Sequence, residues 1–338
     1  MQATGLTQPK RGFEQEEFEQ RTTAAQIKMR DAKLDALLLT TEPEIRYFTG
    51  FHSQFFESPT RPWFILIPAS GKPIAVIPEI GRTGMESTWV DQILTWPSPR
   101  PDDDGISLLT GTINTLPARF GQLGMMLGVE SVLRMPIADY QNLSVGIDLA
   151  ITDCAALLHQ IRFVKSPAEI EKISMACQIA SDAFIKCAKT SSCGESEIEI
   201  CRRMKIDLLQ HGADSVPYLV SASGPGGYDN IIMGPTERIL CDGDVLIIDT
   251  GATYDGYFCD FDRNLAFGKV SDKTQEAHEI IFRATEAGFA AASPGATTSD
   301  VWEAMWKILE KGGALGNSVG RMGHGLGMQL TEWPSVKL

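Results

Sequence analysis

The sequence predicts a two-domain protein in which an α/β domain is followed by an α+β domain. The chain has 338 residues, which is more than a single hydrophobic core usually serves. Helical and strand patterns alternate to about residue 150, and a strand-rich block at residues 216–267 then has helical patterns on both sides. We therefore expect a boundary near residue 160, with one domain over residues 1–160 and the other over residues 161–338.

The elements of the first domain follow from apolar periodicity and from its interruption by proline and glycine. Residues 12–34 have the spacing of an amphipathic helix, and residues 35–40 form a compact apolar run of strand length. Residues 63–67 and 74–77 are two further runs of strand length. Residues 97–104 are rich in proline and aspartate and predict a surface loop.

The second domain opens with a strong helix-start signal. Ser166 is a preferred N-cap, Pro167 suits the first helical position, and Glu169 can complete a capping box. The apolar residues that follow at helical spacing are expected to face the core: Ile170, Ile173, Cys177, Ala180 and Phe184. Further helices are predicted at residues 195–210, 274–292 and 298–311. The strands between them are expected to form an antiparallel sheet.

Composition and charge argue against several classes of protein. The net charge of −13 argues against a nucleic-acid partner, because binding to the phosphate backbone requires a basic face. The polar N-terminus predicts no signal peptide, and no apolar run approaches the roughly 18 residues that span a bilayer. The cysteines contain no C-x-x-C pair and predict reduced core thiols in a cytoplasmic protein: Cys154, Cys177, Cys187, Cys193, Cys201, Cys241 and Cys259.

Asp255-Gly256 separates two apolar-aromatic runs and predicts a two-residue type I′ turn. If these residues form the turn, Tyr254 pairs with Tyr257. The two residue numbers of every cross-strand pair in the hairpin then add up to 511. Asp249 then lies opposite Asp262, with Asp260 as its diagonal neighbour. Because side chains alternate between the faces of a strand, the three carboxylates should project from one face of the hairpin.

Three like charges on one face destabilise a hairpin unless positive charge compensates them. One interpretation is a divalent metal held by Asp249 and Asp260; the other is a solvent-facing cluster near Arg263. His324 favours the metal, because the glycines of Gly323-His324-Gly325-Leu326-Gly327 allow close backbone approach and free the imidazole. Carboxylates with one imidazole suit manganese, iron, cobalt or zinc in a hydrolase.

Several stretches of the chain carry a family resemblance: Lys165-Ser166-Pro167-Ala168-Glu169-Ile170, the run from Gly243 through Asp249 to Tyr257, Asp260-Phe261-Asp262-Arg263, and Gly323-His324-Gly325-Leu326-Gly327. The chain resembles the pita-bread metallopeptidases, which include aminopeptidase P, prolidase and their metal-free relative creatinase. Tyr47-Phe48-Thr49-Gly50-Phe51 is similar to the N-terminal domain of the prolidase/creatinase branch. The resemblance implies an α/β N-terminal domain and an α+β pita-bread, creatinase/aminopeptidase-like, C-terminal domain.

By this resemblance, Asp249, Asp260 and His324 are metal ligands in a site that binds two divalent ions such as manganese. The expected substrate is a short peptide or another small molecule, and the expected assembly is a cytoplasmic homodimer. In creatinase-like dimers the N-terminal domain contributes residues to the partner's active site, and Arg61 or Trp63 are candidates. A buried turn is the favoured interpretation of that segment. The catalytic base and the substrate-binding residues are not identified.

The sequence departs from the family pattern in and around the expected site. The family has two ligand glutamates downstream of the histidine, whereas this chain ends at Leu338, so we expect a C-terminal truncation with three of five ligands present. We do not assign Glu332 as a ligand. Family histidines that assist catalysis are replaced by Ile232, Gly320 and Thr331, and Asp262 stands in place of a threonine.

The first hypothesis is therefore a metal-dependent hydrolase that resembles Xaa-Pro aminopeptidases and dipeptidases but acts on a different substrate. Isoleucine and threonine do not replace imidazole in proton transfer or oxyanion stabilisation. The alternatives are a creatinase-like metal-free C–N hydrolase and a catalytically inactive binding module of the same fold.

Overall fold

The computed structural model describes the chain over four ranges: residues 7–226, 230, 232–313 and 320–337. The chain divides into two compact units. One unit is Lys10–Val164, and the other comprises the described residues of Met1–Pro9 and Lys165–Leu338.

The first unit contains a six-stranded mixed sheet in the order β4-β3-β2-β1-β5-β6. Its strands are β1 (Ala36–Leu39), β2 (Phe64–Pro68), β3 (Ile74–Pro78), β4 (Gln92–Trp96), β5 (Gln122–Met125) and β6 (Ala150–Asp153). Its helices are α1 (Gln15–Asp31), α2 (Glu42–Thr49), α3 (Arg82–Glu86), α4 (Ile106–Asn114), α5 (Ile137–Gly146) and α6 (Ala155–Phe163). Strand β2 is antiparallel to β1 and β3, and the remaining pairs are parallel.

The first unit confirms the predicted α/β class. Every residue of β1, β2 and β3 is buried, as expected for strands covered on both faces. Helix α1 is shorter at both ends than the predicted 12–34. Trp63 is 1% exposed and packs against the rings of Phe51 and Phe56, so its side chain is buried within the first unit.

The second unit contains an antiparallel sheet in the order β10-β8-β7, in which the short strand β9 also pairs with β8. Its strands are β7 (Ser215–Gly224), β8 (Val245–Tyr254), β9 (Tyr257–Phe258), β10 (Phe261–Ala266), β11 (His324–Gly325) and β12 (Glu332–Ser335). Its helices are α7 (Pro167–Thr190), α8 (Glu197–Gln210), α9 (Asp272–Ala291) and α10 (Thr298–Lys311). Strands β11 and β12 pair with each other, and the antiparallel prediction is confirmed.

Helix α7 begins as predicted, and its core-facing side includes part of the predicted apolar set. Ser166 and Glu169 form the capping box, with Pro167 in the first turn. Ile170 is 53% exposed, so its predicted core position is wrong. The buried residues of α7 include the predicted Ala180 and Phe184 together with Met175, Ala176, Ile179 and Ala183.

The seven cysteines are free, in agreement with the predicted absence of disulfides. Cys154, Cys187, Cys201 and Cys259 are buried, whereas Cys193 and Cys241 are exposed. The prediction of core positions is wrong for the latter two, because both lie in turns outside the regular elements. Within the described residues, no helix combines the length and apolar character needed to cross a bilayer.

Candidate metal centre

The aspartate hairpin, which consists of β8, β9 and β10, has the register predicted from its turn. Tyr254 pairs with Tyr257, and Asp249 pairs with Asp262. Asp255 and Gly256 have φ values of +50° and +80°, as a type I′ turn requires at both central positions. Because the turn type fixes the pairing and side chains alternate along each strand, the positions of all three carboxylates follow from the sequence.

One face of β8 packs into the core and the other carries Asp249. Leu246, Ile248, Ala252 and Tyr254 belong to the hydrophobic cluster that β8 shares with α7 and α8. Alternation therefore places Asp249 on the opposite face. Its Oδ1 is buried and makes no hydrogen bond within the described part of the chain. Burial, and then the charges of Asp260 and Asp262, raise the pKa of Asp249 to about 6.

His324 and Asp260 face each other across the candidate site. The His324 Nε2 lies 3.2 Å from Asp260 Oδ2, and Nδ1 lies 2.9 Å from the carbonyl oxygen of Gly325. Because a carbonyl only accepts, Nδ1 carries the proton and Nε2 is directed at the carboxylate. The hydrogen bond to Asp260 raises the pKa of His324, against the effect of burial. Burial would raise the pKa of Asp260, but bonds from His324 and Tyr218 lower it.

Tyr218 is a site residue that the sequence reasoning missed. It lies on β7 opposite Gly251, and its hydroxyl donates to Asp260 Oδ1. A Cβ on Gly251 would lie 2.9 Å from the Tyr218 ring and 2.0 Å from the carbonyl oxygen of Cys259. A glycine inside a strand often marks such a close approach, so Gly251 was the available signal. Burial, and then the bond to Asp260, raise the pKa of Tyr218.

The residues present fit a divalent cation in donor type and in charge. The carboxylates of Asp249 and Asp260 and the imidazole of His324 form a hard-to-borderline donor set. The partnerless oxygen of Asp249 and the mutual repulsion of the aspartates both favour added positive charge. Over the described ranges, no group of three or more histidine, cysteine, aspartate or glutamate side chains is already arranged around a metal position. Asp260 and His324 instead contact each other directly.

The resemblance leads us to expect catalytic histidines at three positions that hold Ile232, Gly320 and Thr331 in this chain. Ile232 is 80% exposed, and Gly320 is an exposed residue in a bend. The Thr331 hydroxyl accepts a hydrogen bond of 3.4 Å from Arg321. Glu332 is 9% exposed and is paired with Lys165.

A cavity of about 910 Å³ lies elsewhere in the second unit. Residues of α9, such as His278 and Ile281, line it together with Val245, Asn264 and Ala266. None of Asp249, Asp260 and His324 is among its lining residues. The candidate site is therefore assigned from its side-chain chemistry and not from the size of a cavity.

Two family models match the chain in consecutive segments. The model for the creatinase/prolidase N-terminal domain matches residues 21–164. The model for metallopeptidase family M24 matches residues 171–337. Together they account for both units of the structure.

The chain is also similar to curated and solved proteins. It is 25% identical over 339 residues to "Probable dipeptidase PepE" of Mycobacterium bovis, covering 96% of this chain and 84% of that protein. It is 27% identical over 186 residues to the Xaa-Pro dipeptidase of Pyrococcus furiosus, covering 53% and 52% of the two chains. The crystal structure of dipeptidase PepE from Mycobacterium ulcerans matches with a TM-score of 0.82 at 25% identity, covering 96% of this chain and 84% of that one. The two-domain pita-bread architecture is thereby confirmed.

Proposed function

The chain belongs to metallopeptidase family M24, in the branch with a creatinase/prolidase N-terminal domain, and we propose that this hydrolase uses Asp249, Asp260 and His324 as metal ligands to cleave an amide bond. The observation that carries the proposal is the direct contact between Asp260 and His324 beside an aspartate with an unsatisfied oxygen. Asp260 Oδ2 lies 3.2 Å from His324 Nε2, and the desolvated, partnerless Oδ1 of Asp249 belongs to the same face of the hairpin.

The surrounding residues orient these groups for metal binding. The Gly325 carbonyl holds the proton on Nδ1 of His324, so Nε2, once its proton bonded to Asp260 is released, is the nitrogen that would bind an ion. The Tyr218 hydroxyl holds Oδ1 of Asp260 and leaves Oδ2 on the side of the imidazole. Manganese, cobalt, iron and zinc all suit this donor set. The chemistry that such an ion supplies when bound is polarisation of a substrate carbonyl.

The substrate in this proposal is a small amide or short peptide other than a standard Xaa-Pro peptide. Relatives include proteins named dipeptidase and Xaa-Pro dipeptidase, which supports amide hydrolysis. Ile232, Gly320 and Thr331 stand where family members carry histidines, and none of the three side chains can exchange a proton near neutral pH. A substrate whose cleavage does not depend on those imidazoles is consistent with this replacement.

Location and assembly are further parts of the proposal. A cytoplasmic location is supported by the free state of the seven cysteines. A homodimer is supported by the resemblance to the creatinase/prolidase branch and is tested by light scattering of the purified protein. A single monomer mass at micromolar concentration would contradict it.

The metal assignment is tested by calorimetric titration of Mn²⁺ into the metal-free protein. We expect Asp260→Ala and His324→Ala to abolish the binding that the parent shows. Asp262→Asn is the matched control, because Asp262 is a neighbouring carboxylate on the same hairpin and is not a proposed ligand. Unchanged Mn²⁺ affinity in Asp260→Ala would contradict the ligand assignment.

The substrate assignment is tested by turnover of an Xaa-Pro dipeptide series beside non-proline dipeptides and small amides. We expect the Mn²⁺-loaded protein to prefer a member of the second group. Efficient Xaa-Pro cleavage would contradict the altered substrate. Binding of these compounds with no turnover of any of them would contradict the hydrolase and favour a binding module.

A further inference from the structure

Three charged side chains at the start of α7 connect this helix to the two parts of the candidate site. Lys165, just before the helix, pairs with Glu332 on β12. The Glu169 carboxylate accepts a hydrogen bond of 2.9 Å from the Tyr257 hydroxyl on β9. Lys172 pairs with Asp255 in the hairpin turn at 2.8 Å. One helix end is therefore attached both to the aspartate hairpin and to the strand pair that carries His324.

The contact between Lys165 and Glu332 is nearly removed from water. The Nζ and Oε2 atoms are 2.9 Å apart, and the two side chains are 14% and 7% exposed. The second carboxylate oxygen accepts the backbone N–H of Gln329 at 3.2 Å. A Cβ on Gly327 would lie 2.7 Å from this carboxylate, so a glycine is required for the carboxylate to reach its place.

Glu332 is the residue through which β12 meets the histidine strand. It pairs with Gly325, the residue after His324. Beyond the strand, Met322 donates its N–H to the Val336 carbonyl at 2.9 Å. Val336 in turn donates to the Gly323 carbonyl at 2.8 Å. A displacement of Glu332 would therefore displace the backbone on both sides of His324.

We propose that Lys165 is a positioning residue that, through Glu332, fixes the β11–β12 pair and so directs the His324 imidazole toward Asp260. The inference rests on the proposed function only in taking His324 as a ligand. Strand β11 has two residues, and a pair of this length is not stable by its own hydrogen bonds. An ion pair shielded from water holds its partners in one geometry, because separating them exposes an uncompensated buried charge.

The same structure explains why Lys165 acts on the imidazole and not on the carboxylates. The hairpin is attached to α7 through Glu169 and Lys172 and is backed by the core cluster. Residues 320–337 form the histidine segment. Its described contacts with the hairpin include the hydrogen bond of 2.8 Å from the Phe258 N–H to the Gly327 carbonyl. Loss of Lys165 should therefore loosen β11 and β12 and leave β8 in place.

The test is amide hydrogen exchange of the metal-free full-length protein, which needs neither metal nor substrate. In Lys165→Met we expect Met322 and Val336 to exchange roughly tenfold faster or more, while Leu246 and Ile248 of β8 keep their protection. Lys165→Arg should restore slow exchange, because it retains the charge. Lys186→Met is the matched control, since Lys186 is a lysine of α7 whose ion pair with Asp207 lies outside the candidate site.

Glu332→Gln provides a second route if Lys165→Met does not fold, because it keeps the acceptor for Gln329 and removes the charge. The proposal is overturned if Met322 and Val336 remain protected in both variants, or if Lys186→Met accelerates them equally. Mn²⁺ titration of the wild type and of Lys165→Met then separates the positioning role of Lys165 from the proposed metal site. A wild type that binds no Mn²⁺ would remove the proposed function and leave the exchange result standing.

Discussion

The two halves of the candidate site are held in place by different means. Asp249 lies in the middle of a ten-residue strand that has neighbours on both edges. The opposite face of that strand is packed against α7 and α8. His324 lies on a two-residue strand with a single partner of four residues. Asp249 is thus part of a strand packed into the core of the second unit, and the imidazole depends on a few local polar contacts.

This difference separates stability from function within one site. Local segments with few apolar contacts open at lower free energy than the core. A substitution in the aspartate hairpin should therefore change the stability of the whole unit, whereas one in the histidine segment should change site geometry first. The following predictions test this contrast, in order of decreasing effect on stability.

The largest effect is expected for Lys172→Met. Lys172 and Asp255 have side chains that are 2% and 9% exposed, and removing the lysine leaves a buried carboxylate without its cation. Breaking such a pair typically costs about 3–5 kcal/mol. We expect this loss in the free energy of unfolding of the second unit, measured by hydrogen exchange of Leu246 and Ile248 under mild denaturant. Lys307→Met should cost about 1 kcal/mol or less, because Lys307 and its partner Glu303 on α10 are 74% and 54% exposed. Equal effects of the two substitutions would contradict the prediction.

Gly251→Ala should have the next largest effect. Its Cβ would meet the backbone oxygen of Cys259 at 2.0 Å and the Tyr218 ring at 2.9 Å, and the backbone contact cannot be relieved by a rotamer change. Overpacking of this kind costs about 1–3 kcal/mol. The same exchange measurement checks this, with Gly111→Ala as a control at a glycine whose Cβ would have no neighbour within 4 Å. A stability loss no larger than that of Gly111→Ala would show that Tyr218 and Cys259 move aside freely.

The aspartate hairpin was predictable because its determinants are local. Asp255-Gly256 specifies the turn, and the period of two then assigns Asp249, Asp260 and Asp262 to one face without any tertiary information. The position of Tyr218 was not predictable in the same way. It depends on the pairing of β7 with β8, and no turn of fixed length specifies that register.

The histidine half shows the other limit of sequence reasoning. The glycines around His324 indicated close approach, but not what approaches. The answer is Glu332, held by a lysine 167 positions earlier in the chain, and no periodicity connects the two. The family resemblance supplied the expectation that His324 is a ligand, whereas the ion pair between Lys165 and Glu332 was visible only in the structure.

A smaller, pH-dependent effect is expected for Asp244→Asn at the start of β8. Two hydrogen bonds from Arg238 hold the pKa of Asp244 below its ordinary value, against the effect of burial. Because the folded pKa is lower than the unfolded one, the stabilisation is complete above the unfolded pKa and is lost as the pH falls through the folded pKa. Hydrogen bonds to charged groups contribute about 1.5–3 kcal/mol. We expect a loss near the lower bound at pH 7 that shrinks below about pH 4. A difference in unfolding free energy that stayed constant with pH would contradict this.

The smallest effect on stability, and the sharpest contrast, is expected for Gly325→Ala. Its Cβ would lie 2.7 Å from the Trp333 carbonyl oxygen and 3.0 Å from that of Glu332, so β11 and β12 must separate. The core cluster of the unit is not touched, and we expect a change in the global free energy of unfolding of less than about 1 kcal/mol. The imidazole nitrogen shifts of His324 should nevertheless change, because both its Gly325 and Asp260 contacts are displaced. Gly320→Ala is the control, since a Cβ there meets nothing within 4 Å. If Gly325→Ala lowered stability as much as Gly251→Ala, the histidine segment would belong to the same cooperative unit as the hairpin, and the proposed division of the site would be wrong.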